Sequence, residues 1–212
     1  MEITKYEHAT MILDLAGRRL VIDPGNFLSL TDFPDVVGVV ITHEHPDHWT
    51  PQNLGRILRD SPGARILGTP AVVTEAAAAG IIVEPTTAGM TASVDPFELS
   101  FFGGQHAVIH SSIPVIDNVG VIVNGDFAYA GDSFALPGVP VTTLAVPAGG
   151  PWMKLAEAMD YTLAVAPKNA FTVHEMPLST WGQDLAASRL DWAAAQGGGV
   201  LHRLAPGETL NL

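Results

Sequence analysis

Apolar and polar positions along this chain alternate in short runs broken by Gly, Pro, Asn and Asp, and each run predicts a strand or a short helix. Residues 2–6 and 10–15 predict strands around a turn, and Ala16-Gly17-Arg18-Arg19 turns the chain into Leu20-Val21-Ile22-Asp23. Asp23-Pro24-Gly25-Asn26 ends this β-rich start as a loop. The run Val36-Val37-Gly38-Val39-Val40-Ile41 is apolar and β-branched, so it predicts a buried strand. Thr50-Pro51 sets a capping side chain before a proline at the first helical position, predicting a helix through about Leu58 that ends near Ser61-Pro62-Gly63. A short strand over 64–68 precedes Thr69-Pro70, where the same signal opens a helix over 71–79, stopped by Gly80.

The second half continues in the same way. Residues 97–102 predict a strand, and 119–124 with 127–130 predict a hairpin about Asn124-Gly125. A strand over 141–146 leads through the loop 147–154 into a helix reaching about Ala166. A strand over 170–173, an amphipathic helix over 180–196 broken by Gly197-Gly198-Gly199, and strands near 200–204 and 208–212 complete the chain. There is no short internal repeat and no low-complexity segment. Periodicity alone supports a mixed α and β fold, and 212 residues are most simply one domain, 1–212.

Chemistry gathers where the strands stop. After Ile41 comes Thr42-His43-Glu44-His45-Pro46-Asp47-His48-Trp49, three imidazoles and a ligand-type carboxylate within six positions. In a turn leaving a strand, alternate residues can converge, so His43 and His45 suit one cation. Asp47 and His48 are adjacent and point elsewhere, which suits a second cation nearby. The plainer alternative is a solvated polar loop, but caps and ordinary turn residues would serve that better. Asp23 also follows a strand directly; it either orients the metal loop by hydrogen bonding or makes an Asp-Pro-Gly turn.

The His-x-His-x-Asp-His motif after an apolar strand resembles the metallo-β-lactamase fold superfamily. The order of the later elements is similar to the branch of ascorbate-phosphate lactonases and N-acyl-phosphatidylethanolamine phospholipases. The resemblance covers nearly the whole chain and implies an α+β fold, a four-layer αββα sandwich of two mixed sheets with helices outside. It further implies that His106, beyond the strand over 97–102, joins His43 and His45 at one metal. Asp47, His48 and His174 would hold the second metal, with Asp132 of the Gly131-Asp132 step bridging both. A carboxylate suits bridging because it has two oxygens. His8, in the first turn, would approach the site from behind, or be a polar turn residue.

Three further positions are candidate substrate contacts. His110 competes with His106 as a ligand and otherwise contacts substrate or solvent from its loop. Trp152 is either an apolar pocket wall or core, and Lys154 either holds an anionic group or is solvated. The implied chemistry is a dinuclear hydrolase in which two divalent ions activate a hydroxide for attack on a lactone or small ester, or on a phosphodiester. Asp47 and Asp132 are its expected catalytic carboxylates. Zinc suits the nitrogen and oxygen ligands first, with manganese or iron also compatible. The alternatives are a diiron oxidoreductase or dioxygenase on the same fold, and a non-catalytic binding module.

Composition narrows the partners. Hydrophobic residues make up 47% and charged residues 15%, which favours a compact enzyme-like globule. Acidic residues number 22 against 10 Lys and Arg, and no basic cluster exists to grip phosphate backbones, so nucleic acid is excluded as an expected partner. Without cysteine, thiolate sites and disulfides are ruled out. No stretch has the pattern of a secretion signal, a membrane span or a basic amphipathic anchor. A cytoplasmic protein acting on a small molecule, without stable membrane association, is the expectation; a homo-oligomer stays open.

Overall fold

The computed structural model describes residues 1–212. β1 (Glu2–Lys5), β2 (Met11–Leu15) and β3 (Arg18–Ile22) form an antiparallel meander. β4 (Val36–Ile41) then adds in parallel to β3, followed by α1 (Pro51–Asp60), β5 (Arg65–Gly68), α2 (Pro70–Ala78) and β6 (Glu84–Pro85). The chain crosses to a second sheet with β7 (Thr91–Val94), β8 (Phe97–Gln105), β9 (Asp117–Val123) and β10 (Phe127–Tyr129). β11 (Thr143–Pro147), α3 (Leu155–Val165), β12 (Asn169–Val173), α4 (Thr180–Gln196) and β13 (Val200–His202) extend that sheet in parallel. β14 (Thr209–Asn211) returns to pair with β1.

The result is two seven-stranded mixed sheets, in the orders β14-β1-β2-β3-β4-β5-β6 and β13-β12-β11-β10-β9-β8-β7. One apolar cluster lies between them and includes Met11, Leu20, Ile22 and Val40 from the first sheet and Leu99, Phe101, Phe127 and Phe171 from the second. A second cluster joins the outer face of the first sheet to α1 and α2 through Val39, Ile41, Leu54, Ile57 and Val72. A third joins the second sheet to α3 and α4 through Ile122, Leu144, Ala158, Tyr161 and Leu190. Three apolar seams between four layers make the αββα sandwich. Alternation explains the register: Leu20, Ile22 and Val40 face the other sheet, whereas Val21, Val39 and Ile41 face the helices.

Local signals act as expected at several ends. Thr50 caps α1 by accepting a hydrogen bond from the Asn53 N–H at 3.1 Å, with Pro51 behind it. Asn124 and Gly125 both take positive φ, 52° and 68°, which turns the chain from β9 into β10. The strand from Phe97 runs on to Gln105, past the two glycines, so it delivers His106 directly. α4 departs from the amphipathic expectation. Its buried face is mostly alanine, while Trp181 and Trp192 stand 73% and 50% exposed. No helix is long and apolar enough to cross a membrane.

Candidate metal centre

Six strand ends meet at one rim. His8 follows β1, Asp23 follows β3, and His43 to His48 follow β4; His106, Asp132 and His174 follow β8, β10 and β12. Two groups of ligand-type atoms form there, His43, His45, His106 and Asp132 in one and His8, Asp47, His48 and His174 in the other, each within 4.8 Å of one another. Asp132 lies between the groups. Its Oδ1 is 3.1 Å from His48 Nε2, and its Oδ2 is 3.1 Å from His174 Nε2, 3.4 Å from His106 Nε2 and 3.9 Å from His43 Nε2.

The imidazoles are oriented from behind. His48 Nδ1 donates to Asp23 Oδ2 at 2.6 Å, His106 Nδ1 to the Ala107 carbonyl at 2.6 Å, and His174 Nδ1 to the Gly149 carbonyl at 2.6 Å. Each bond fixes the tautomer that leaves the Nε2 lone pair aimed inward. Asp23 does more, since its carboxylate also accepts from the Thr42 N–H at 2.8 Å and the Thr42 hydroxyl at 2.7 Å. Thr42 Oγ1 in turn is 3.0 Å from His43 Nδ1. One fully buried carboxylate thus sets two imidazoles and the backbone before them.

Backbone closeness makes two glycines necessary. A Cβ on Gly25 would lie 1.8 Å from the Asp47 carbonyl oxygen, so only glycine lets the loop after β3 pack under the motif. Gly131, at φ +63°, would place a Cβ 2.2 Å from Asn118 Oδ1. That Asn118 oxygen accepts from the Asp132 N–H at 3.0 Å, and its Nδ2 donates to the Ala130 carbonyl at 2.8 Å, which clamps the Gly-Asp step.

The donor set fits metal ions. His48 Nε2, His106 Nε2, His174 Nε2 and Asp132 Oδ1 are buried and lack any hydrogen-bond partner, a costly state for polar atoms. His43 Nε2 and His45 Nδ1 face each other 3.0 Å apart. These spacings approach the ~3.3 Å edge of a tetrahedral site with bonds of about 2.0–2.1 Å. Protonation in the metal-free protein follows the same charges. Burial disfavours charge on Asp132, but the imidazoles of His48 and His174 hold its carboxyl well below the usual range. Burial likewise opposes charge on His174, and Asp132 outweighs it, raising the ring to about 9. His43 is pushed well down, chiefly by burial. Asp47 is held low despite burial by the imidazoles beside it, His174 at 3.5 Å and His8 at 3.1 Å.

His8 sits closer than an outlying supporting residue would. Its Nε2 lies 3.1 Å from Asp47 Oδ2 and its ring centroid 3.9 Å from that of His174. Trp152 is 6% exposed, with its ring 5.9 Å from His106 and 5.7 Å from His174, so it walls the centre as part of the core. His110 and Lys154 are not brought to the cluster. His110 is exposed and accepts from the Ser112 N–H at 3.1 Å within its own loop. Lys154 is exposed and caps α3, its backbone N–H donating to Glu157 Oε2 at 2.6 Å. Thr42 and Asn118 were not singled out by the sequence. The available signal was a lone polar side chain at the edge of an otherwise apolar run.

Residues 2–174 match the Beta-lactamase superfamily domain. The chain belongs to this superfamily. Among superfamily relatives, Protein Rv0786c of Mycobacterium tuberculosis is 35% identical over 186 residues, covering 82% of this chain and 84% of its own. Igni18, a metallo hydrolase of the hyperthermophilic archaeon Ignicoccus hospitalis, superposes with a TM-score of 0.76 at 18% identity, over 99% of this chain and 97% of its own. CmlA, a diiron β-hydroxylase of Streptomyces venezuelae, superposes with a TM-score of 0.75 at 16% identity, over 100% of this chain and 54% of its own. At these identities the two structural likenesses show the fold alone. The superfamily and the two clusters together make this a metal-dependent hydrolase fold with two candidate metal-binding groups.

Proposed function

We propose that the protein is a dinuclear metal-dependent hydrolase of small substrates, a lactone or other carboxylic ester first and a phosphodiester second. The observation that carries this is the convergence of unpartnered buried donors on both sides of Asp132. In this reading His43, His45 and His106 hold one ion, Asp47, His48 and His174 the other, and Asp132 is shared. Zinc is the first choice of ion from the ligand types, with manganese or iron as the others.

Two divalent ions held by these residues would supply a water of lowered pKa and a Lewis acid for the oxygen of the scissile group. The chain's own residues do the rest. Asp47 is the open acid of the pair, with 27% of its side chain exposed against 3% for Asp132. Held ionised by its neighbours, it orients the attacking water, takes its proton and returns it to the leaving group. His8, hydrogen-bonded to Asp47, positions that carboxylate. Trp152 keeps water from the floor of the centre. The ion-pair partners of Asp47 and Asp132 are all histidines, with no Lys or Arg among them, which supports an ester over a phosphodiester.

The test is metal-free protein reconstituted with zinc, manganese or iron, assayed by elemental analysis and against lactones, aryl esters, thioesters and phosphodiesters. About two ions per chain with ester or lactone turnover is expected. Less than one ion per chain after reconstitution overturns the reading. Oxygen consumption by the iron form without hydrolysis would instead support the oxidoreductase alternative, whose one support is the fold shared with CmlA.

A further inference from the structure

Beside the first group of ligands lies a cleft of about 180 Å³, lined by His45 and His106 and otherwise by apolar residues, chiefly Ile109, Ile113, Val115 and Ile116. We propose that this cleft binds an apolar group attached next to the scissile bond of the substrate, an aliphatic chain or ring on the order of six carbons. The proposal rests on the hydrolase reading and specifies its substrate class. The size follows from comparison: a cavity of about 150 Å³ lined by aliphatic side chains holds a benzene ring.

Three observations point to a ligand site. First, the cleft shares its wall with the metal centre, because His45 and His106 line both. A group seated there places its attached carbonyl beside the ligand imidazoles. Second, the segment after His106 is an aliphatic loop at the surface, where polar residues are the rule. Val108 is 62% exposed, Ile113 46% and Val115 45%. Third, the loop is preformed. The His106 N–H donates to the Ile116 carbonyl at 3.0 Å, closing its base, and the Ala107 N–H donates to the Asp132 carbonyl at 2.8 Å. The Ile113 N–H donates to the His110 carbonyl at 2.9 Å, and the His110 ring accepts from Ser112. His110, set aside as a substrate contact, thus shapes the turn that presents Ile113. A pocket ordered before binding loses less entropy when filled.

The experiment uses the zinc-reconstituted full chain and two homologous ester series, one lengthened on the acyl side and one on the alcohol side. In one of the two, kcat/KM should rise about fourfold per methylene, then level off or fall beyond about six carbons. Ile113→Trp, which fills the cleft, should flatten the preference to within about twofold. Ile113→Ala, which enlarges it, should move the optimum to longer chains. Ile113 is partly exposed, so both variants are expected to fold. A second readout does not need turnover. Hexanoate, but not acetate, should shift the methyl NMR signals of Ile109, Ile113 and Ile116 in zinc-loaded protein. Flat series in an active enzyme, with unmoved methyls, overturn the cleft and leave the hydrolase reading standing. Moved methyls without hydrolysis of any substrate do the reverse.

Discussion

The ammonium of Lys5 and the carboxylate of Glu175 meet at 2.5 Å, 170 residues apart in sequence, just under the histidine rim. Lys5 is 1% exposed and Glu175 8%. Lys5 also donates to the Tyr6 carbonyl at 3.0 Å, and the His174 N–H donates to the His8 carbonyl at 2.9 Å. Together these bonds fasten the turn bearing His8 to the strand end bearing His174. Breaking one side of a buried ion pair strands a charge, and costs about 3–5 kcal/mol. Lys5→Met or Glu175→Leu alone should lower the unfolding free energy of metal-free protein by that amount in urea titrations. The double substitution should recover most of the loss. Losses in the two single variants that simply add in the double would mean that the two groups act independently and not as a pair.

Asp23 makes a second test, because it touches His48 and Thr42 but lies in neither ligand group. Asp23→Ala should weaken metal binding about 10- to 100-fold, measured by competition with a chromophoric chelator. The loss should fall mainly on the ion held by His48.

Metal binding should release protons. Asp132 raises His174 to about 9, and Asp132 with Asp23 raises His48 well above the ordinary imidazole value, in both cases against the effect of burial. Both are therefore protonated near neutrality without metal, and the ion must displace those protons. Adding zinc to weakly buffered metal-free protein at pH 7.5 should acidify the solution, and affinity should increase as pH rises towards about 9. The stability contribution has the opposite slope. His174 has a raised pKa, so its contribution is complete below the ordinary value and is lost as pH climbs through about 9. Melting of chelator-treated protein across that window should show the decline, and zinc-loaded protein should not.

Gly25→Ala tests the packing beneath the motif. The added methyl meets Asp47 backbone rather than a flexible side chain, so the loop must move. A loss of several kcal/mol in stability, together with loss of metal, is expected by denaturation and elemental analysis. Unchanged metal content would show that the loop adapts.

Local signals disclosed much of the fold because they agreed with the long-range packing. Val36 to Ile41 is apolar on both faces, since the strand is covered by the other sheet on one side and by helices on the other. The strand therefore stops visibly at Thr42. β6 and β7 left no such mark. β6 is two residues long, and β7 is Thr91-Ala92-Ser93-Val94, held by its antiparallel partner β8 more than by its own side chains. The direct contact of His8 with Asp47 was also hidden, because it arises where β1 and β4, separated by two strands of the same sheet, end at the same rim. For α4, alanine packing against α3 and the sheet left both tryptophans outside, contrary to an amphipathic reading.

The chain crosses between sheets after Pro85, and that crossing also divides the ligands. His8, Asp47 and His48 stand on the first sheet while His174 stands on the second; His43 and His45 stand on the first while His106 and Asp132 stand on the second. Each ion would therefore act as a clasp between two separately woven halves, and chelation would loosen the mouth through which substrate enters before it disturbed the apolar filling below.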